Sequence, residues 1–310
     1  MKKQLFAAIC FLPLLLAAQN RVVLEKELEK ANYYAHVDTS KVTGWIIGCI
    51  DHDSTWVFGY GEIAKNTGQK PNEKTLFEIG GLSKAFIGML IESYVQKGKL
   101  RLEMPVNRYL PTEQQFPMGD SLTLLDLLTH TSGLPKLPPA FGLDEQDKNQ
   151  PYETYTASQL FDFLKELTPN ETTHGQYLYS HLNHALLEFA ISHAVGRQGL
   201  DALLPRHVTP PQYAQGYNPA KKPVENWRFR ETYLFSLGLK MSMTDILQFV
   251  QIHLGLKDKN DFESAKATQM PLFPTLIDKK TSVAKAWHVL KDKKHPDICI
   301  QTGSTNGQSV

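Results

Sequence analysis

Cysteine is scarce in this sequence. Three occur in 310 residues, and Cys10 lies inside an N-terminal apolar run, so no disulfide framework holds the fold together. Cys49 and Cys299 each sit in an apolar, strand-like run. One bridge between them is compatible with an oxidising compartment, but two buried free thiols are the simpler expectation. Charge of one sign is lacking too, since 33 Lys and Arg against 32 Asp and Glu leave a formal +1. That balance provides no electrostatic footprint for sequence-independent nucleic-acid binding. Gly (20) and Pro (18) stay near ordinary usage, which excludes collagen-like and low-complexity chains. No internal repeat is present, and the N-terminal apolar run, Leu5–Ala18, covers only ~21 Å as helix against a hydrocarbon core of ~30 Å.

Apolar residues are plentiful: 42% of the chain is hydrophobic and 10% aromatic, ample for a core and contrary to disorder. At ~150 residues per domain the length allows two folding units or one composite unit. Met1-Lys2-Lys3, the short apolar run and the small residues Ala17-Ala18 follow the order of a secretory signal. Residues 1–18 are therefore expected to be a Sec signal peptide, which places the protein in the periplasm or outside the cell. The alternative, an N-terminal membrane anchor, is disfavoured by length. Residues 19–310 are expected to form one domain.

Periodicity divides that domain. Val22–Val37 has helical spacing with alternating charges. The β-rich runs Trp45–Ile50 and Thr55–Tyr60 flank the turn residues Asp51–Ser54, which predicts a hairpin. Ala85–Lys97 is apolar nearly all round and stops at Gly98, which predicts a buried helix. Helical spacing dominates from about 100 to 281, in Leu122–Leu128, Ala157–Leu167, Asn183–Val195 and Met243–Leu254, with Thr244 and Asp245 as candidate caps for the last. Pro205–Pro223 reads as irregular loop. After Ser282, AWHVL and DICIQTG return to strand character across a charged turn at Lys291–Lys294. Sheet portions at about 40–99 and 282–310 thus bracket a helical middle, an α+β arrangement in which the two chain ends share a sheet.

Five segments carry chemistry-bearing residues in a fixed order: Phe77-Glu-Ile-Gly-Gly-Leu-Ser-Lys84, Asp126-Leu-Leu-Thr-His-Thr-Ser-Gly-Leu-Pro135, Tyr179-Ser180-His181, Ser236–Leu239 with Thr244-Asp245, and Gln301-Thr302-Gly303. Together they resemble the serine β-lactamase, penicillin-binding protein and D-alanyl-D-alanine carboxypeptidase/esterase superfamily, nearest its class C-like branch. DLLTHTSGLP is the most specific part. The resemblance runs from about Val42 to the C-terminus. It implies a β-lactamase/transpeptidase-like fold, a mixed antiparallel sheet flanked by helices beside a mostly helical region, with the site between them and no cofactor.

The chemistry of that superfamily explains the spacing. A Ser begins a buried helix, and a Lys three residues later on the same face takes its proton. A Tyr relays protons, an Asn orients substrate, and a [KH]-T-G strand edge holds the acyl group, with backbone N–H groups as oxyanion hole. Carried over by position, Lys84 stands at the Lys, Tyr179 at the Tyr, and Thr302-Gly303 at the strand edge. Gly81 occupies the Ser position, His181 the Asn position, and Gln301 the Lys/His position. Ser83 does not substitute, because two residues along a helix turn a side chain ~200° away. Ser180 has no positional claim.

Each of these residues also has a plainer reading. Lys84 alone would be a snorkelling surface lysine and Tyr179 a half-buried packing residue. His130 reads as a satisfied turn histidine. His181 and His184 share helix spacing without a third metal ligand at a recognisable distance, so no metal is expected. An engineered Ser→Gly trap would leave the other positions intact. Three departing together favour a natural homologue with impaired catalysis, whose ancestral reaction is acyl-enzyme hydrolysis of amides or esters. The alternatives are a binding protein for peptidoglycan-type or other acyl ligands, and an active esterase with an unforeseen nucleophile. The superfamily continues for some tens of residues past its [KH]-T-G strand, so C-terminal strands are expected to be missing and sheet edges to invite self-association.

Overall fold

The computed structural model describes Val23, Lys26 and residues 42–310, apart from 53, 140, 143–149, 168–173, 205–211, 231, 276 and 292–295. The signal-like segment with Cys10 and all but two residues of the helix expected at Val22–Val37 lie outside the described residues. The hairpin forms as its alternation dictates. β1 (Gly44–Asp51) pairs antiparallel with β2 (Ser54–Gly61), and Asp51 lies opposite Ser54. β3 (Phe77–Glu78) leads through a tight turn, Gly80–Leu82, into α1 (Ser83–Gln96). Ala85, Ile87 and Ile91 on this helix are fully buried. Gly98, at φ +68°, ends it, with its N–H donating to the Val95 carbonyl at 2.9 Å, because a left-handed residue closes a helix at least cost when it is glycine.

The middle of the chain is helical. α2 (Leu124–Thr129) starts on a capping box, in which Thr123 Oγ1 accepts the Asp126 N–H at 3.1 Å and Asp126 Oδ2 accepts the Thr123 N–H at 2.9 Å. α3 (Pro151–Thr154), α4 (Ala157–Glu166), α5 (His181–Val195) and α6 (Arg197–Asp201) follow. β4 (Gly216–Tyr217) and β5 (Pro223–Val224) then pair, where irregular loop was expected. A two-pair ladder is too short to impose a period on the sequence, so composition alone read it as loop. After α7 (Leu234–Leu237), β6 (Lys240–Met241) pairs with β3. α8 (Met243–His253) is capped by Ser242, whose Oγ accepts the Asp245 N–H at 3.2 Å. Thr244, a candidate cap in the sequence, instead donates its hydroxyl to the Glu73 carbonyl at 3.0 Å.

α9 (Lys259–Thr268) precedes β7 (Phe273–Pro274), β8 (Thr281–Val283), β9 (His288–Leu290) and β10 (Ile298–Ile300). These four strands form one antiparallel sheet in the order β10-β9-β8-β7. The single sheet shared by both chain ends is therefore divided among the described strands, since β1 hydrogen-bonds only to β2 and the β7–β10 sheet stands apart. Cys49 and Cys299 are unpaired and half-buried rather than buried, with burial pushing both thiols up. One core runs through α1, α2, α4 and α5, and includes Val289 of β9. The α+β architecture predicted from the sequence is present.

The segment after β10 presses onto the entry to α1. A Cβ at Gly303 would stand 1.9 Å from the Ile79 carbonyl oxygen, and one at Gly80 2.6 Å from that of Ser304. Only glycine permits this approach. Gly303→Ala is expected to lower the melting temperature by many degrees, whereas Ser242→Ala, which removes a cap, is expected to cost about 1 kcal/mol in urea unfolding. An unchanged Gly303→Ala melt would show that the two segments do not meet.

Candidate active site

The DLLTHTSGLP stretch builds one wall. His130 ends α2 in the left-handed region, at φ +58°. That reversal turns its carbonyl outward to accept the Leu178 N–H at 2.7 Å, while the Thr131 carbonyl accepts the Gly175 N–H at 2.8 Å. His130 Nδ1 accepts the Ser180 N–H at 3.2 Å, which fixes the tautomer with the proton on Nε2. The Ser180 hydroxyl donates to the Pro135 carbonyl at 2.7 Å and accepts the Asn183 N–H at 3.2 Å, capping α5. Ser132 donates to Asn183 Oδ1 at 2.7 Å. Every one of these bonds holds Tyr179 and the start of α5 in place, and Ser180 is committed to structure.

The opposite wall is the first turn of α1. Lys84 is fully buried, so the snorkelling reading fails. Its Nζ lies 3.1 Å from Tyr179 Oη and 3.4 Å from His181 Nδ1. An ideal Cβ built on Gly81 would be 3.5 Å from Lys84 Nζ, 3.5 Å from Tyr179 Oη and 3.0 Å from the Thr302 carbonyl oxygen. Gly81, Lys84, Tyr179, His181 and Thr302 thus converge. A serine hydroxyl at position 81, one bond beyond Cβ, would fall within reach of both proton-bearing groups once the Thr302 carbonyl yielded by a few tenths of an ångström. Gln301 turns inward, its Nε2 donating to the Ala286 carbonyl at 2.7 Å. Gly303 serves the close packing described above. Ser83 is buried on α1 and does not join the cluster.

Burial governs the electrostatics. It pulls the Lys84 amine down to about 7, with the charge of Glu188 opposing the shift and that of Lys136 adding to it. His181 is pushed down to about 3 by burial, then by Lys84 and Lys136, so it is neutral, with its Nδ1 3.4 Å from the amine. Burial raises the Tyr179 phenol. His130 and His184 are both held well below the usual imidazole range by burial and by neighbouring cationic groups. Their rings lie 4.9 Å apart. Among the described residues no group of three metal-ligating side chains assembles, at His181 and His184 or elsewhere.

Glu188 escaped the sequence reading. It stands on the face of α5 that carries His181 and His184, and its Oε1 accepts the Ser236 N–H at 2.7 Å. Burial lifts its carboxyl to about 7. The signal was a single acid inside the apolar run ALLEFAI, where an unpaired charge is costly.

Similarity to known proteins agrees with this geometry. A family profile described as Beta-lactamase matches residues 31–288. The chain belongs to the β-lactamase family. It is 28% identical over 232 residues to a β-lactamase of Pseudomonas fluorescens, covering 69% of this chain and 60% of that protein. Against the Escherichia coli K12 β-lactamase the figures are 25%, 87% and 72%. Against the D-alanyl-D-alanine-carboxypeptidase/endopeptidase AmpH of the same strain they are 26%, 51% and 40%. The chain thus spans well under two thirds of the length of some of these relatives. Among solved structures, a class C β-lactamase from Rhodobacter sphaeroides superposes with a TM-score of 0.74 at 22% identity, covering 90% of this chain and 88% of that one. A β-lactamase/D-alanine carboxypeptidase from Pseudomonas syringae also gives 0.74 at 22%, over 91% and 88%. These likenesses confirm the class C-like fold of the β-lactamase family.

The two buried titrating groups act on stability in opposite windows. Between an ordinary carboxylate value and about 7, the folded protein keeps a proton on Glu188 that the unfolded chain has released, so stability falls as pH rises there. From about 7 to the ordinary lysine range, the unfolded chain holds a proton that folded Lys84 has lost, so stability rises with pH. Urea unfolding at pH 5, 7 and 9 is expected to show Glu188→Gln abolishing most of the decline below pH 7 while leaving the rise above it. An unaltered decline would contradict the assignment.

Proposed function

We propose that this chain is an exported β-lactamase-family protein whose acyl-transfer chemistry is impaired for want of a hydroxyl at position 81, and whose cleft retains affinity for acyl ligands. The carrying observation is the convergence of Lys84 Nζ and Tyr179 Oη on the place where a side chain at Gly81 would begin, 3.5 Å from each. A proton-accepting amine and a phenol stand 3.1 Å apart with nothing between them to activate. The reaction such a site would perform with its serine is attack on an amide or ester carbonyl, followed by hydrolysis of the acyl-enzyme.

Ligand recognition, which the motif positions assigned to His181, Gln301, Thr302 and Gly303, falls in this reading to His181 and Thr302, since Gln301 bonds the Ala286 carbonyl and Gly303 packs against Ile79. Neutral His181 stands where the superfamily's substrate-orienting Asn would be, and Thr302 is exposed at the lip. A binding-only role is the second reading, favoured by the joint departure of positions 81, 181 and 301. Export is supported by the order of Met1–Ala18. No helix among the described residues is long and apolar enough to cross a membrane. Small-molecule or peptide acyl compounds are the expected ligands. Self-association would use β10, an edge strand with Ile298 and Ile300 exposed, and Ile300→Lys is then expected to shift sedimentation towards monomer.

Reversion tests the central part. After incubation with a fluorophosphonate or a β-lactam, Gly81→Ser is expected to take up one equivalent of label at position 81, and the unaltered chain none. Stoichiometric labelling of a serine in the unaltered chain would overturn the proposal and establish an unforeseen nucleophile.

A further inference from the structure

Two strand edges, unpaired among the described residues, line one cleft. The Thr43 carbonyl accepts the Glu62 N–H at 3.0 Å, which fixes the phase of the β1–β2 ladder. Thr43, Trp45 and Ile47 bond to β2, so Gly44 and Ile46 turn their N–H and C=O groups to the opposite edge. Among the described strands, β2 alone pairs with β1. After β10 the chain doubles back. Gly303 and Val310 exchange both backbone bonds at 2.8 Å, the Thr305 N–H donates to the Gln308 carbonyl at 2.9 Å, and Asn306-Gly307 make the turn. Ser309 stands opposite Ser304 between those bonds, so its N–H and C=O also point away from the arm it pairs with. Between β1 and the 308–310 arm lies a cavity of about 490 Å³, lined by Gly44 and Ile46 on one side and Ser309 on the other. Met241, Met243 and Ile246 supply apolar lining. The charged lining residues are two acids, Glu62 and Glu78. Glu78 is buried, and its Oε1 has no hydrogen-bond partner among the described residues, with Lys240 Nζ 4.0 Å away.

We propose that this cleft is a second binding site, which takes an extended segment of a separate polypeptide as a strand between β1 and the 308–310 arm. A peptide backbone suits both walls, because an inserted strand turns the N–H and C=O of alternate residues to opposite sides. An apolar molecule of the same volume would cover Gly44, Ile46 and Ser309 and leave their backbone groups unpaired, which is costly. At ~3.3 Å per residue, the wall formed by residues 42–46 is matched by roughly four residues of strand. Every second side chain of that strand meets the methionines and Ile246, so the segment is apolar at alternate positions. Two acids in the lining and no base favour a segment that also carries a lysine or arginine. Lys84, Tyr179 and His181 do not line this cavity, so the inference is independent of what stands at position 81.

The probe is the peptide acetyl-Lys-Val-Thr-Val-Thr-Val-Lys-amide, and its control is the same peptide N-methylated on the three valines. The control keeps every side chain and loses the donors along one edge of the strand. Amide hydrogen exchange of the unaltered protein is followed by NMR with each. The probe is expected to slow exchange at Ile46 and Ser309 at least about tenfold, and the control to bind at least about tenfold more weakly. Ile46→Pro removes an outward N–H and no β1–β2 bond, a placement that an edge strand tolerates. It is expected to weaken binding of the probe while the Trp45 and Ile47 amides stay protected. Should that variant fail to fold, the two peptides decide the matter on the unaltered protein. Equal protection by both peptides, protection confined to β10 or to the Lys84 cluster, or none at about 1 mM probe would overturn the inference. So would protection of Ile46 that rises with protein concentration before any peptide is added, since a second copy would then fill the cleft.

Discussion

An amine held out of water without a countercharge is the constraint around which this site is built. Placing Lys84 in the first turn of an apolar helix costs the ammonium its hydration. The surrounding groups accommodate the neutral form. His181 stays uncharged, Tyr179 keeps its proton, and the carboxyl of Glu188 approaches from a distance while bonded to the Ser236 backbone. A lysine in that state accepts a proton readily and also carries a reactive lone pair. At Gly81 a hydroxyl would receive the amine's help, and without it the amine stays buried beside the Tyr179 phenol.

The second requirement is that Tyr179 and His181 arrive at the same point as Lys84 from a segment almost a hundred residues later. The left-handed turn at His130 achieves this with backbone bonds to Leu178 and Gly175 and a side-chain bond to Ser180. Such a reversal at a non-glycine residue is uncommon, and here the ring and the carbonyl are both engaged by the segment they hold. The DLLTHTSGLP string therefore serves as scaffolding rather than chemistry. On the opposite side, the segment around Gly303 lies against Ile79 and Gly81 so closely that no side chain fits.

Much of this was legible in the amino-acid order. The hairpin and α1 with its stop at Gly98 follow from alternation and apolar content, and the pairing of Lys84 with Tyr179 from the family resemblance. What was not legible depends on contacts between distant segments. Thr244 looked like a cap because capping is a local pattern, yet Ser242 does that work while Thr244 reaches Glu73. The β4–β5 pair is too short to leave a period. Gln301 lines the cleft by its position as the first member of its motif, but its amide turns to Ala286. Glu188 was visible only as an acid out of place in an apolar helix, and nothing local said that it would face the Lys84 neighbourhood.

The most direct measurement is the titration of the Lys84 side-chain amine by NMR in protein carrying ¹⁵N-labelled lysine, assigned through Lys84→Arg. A midpoint near 7, well apart from every other lysine in the chain, is the predicted result. A midpoint in the ordinary lysine range would show that the amine is solvated or ion-paired, and the account of the site would be contradicted.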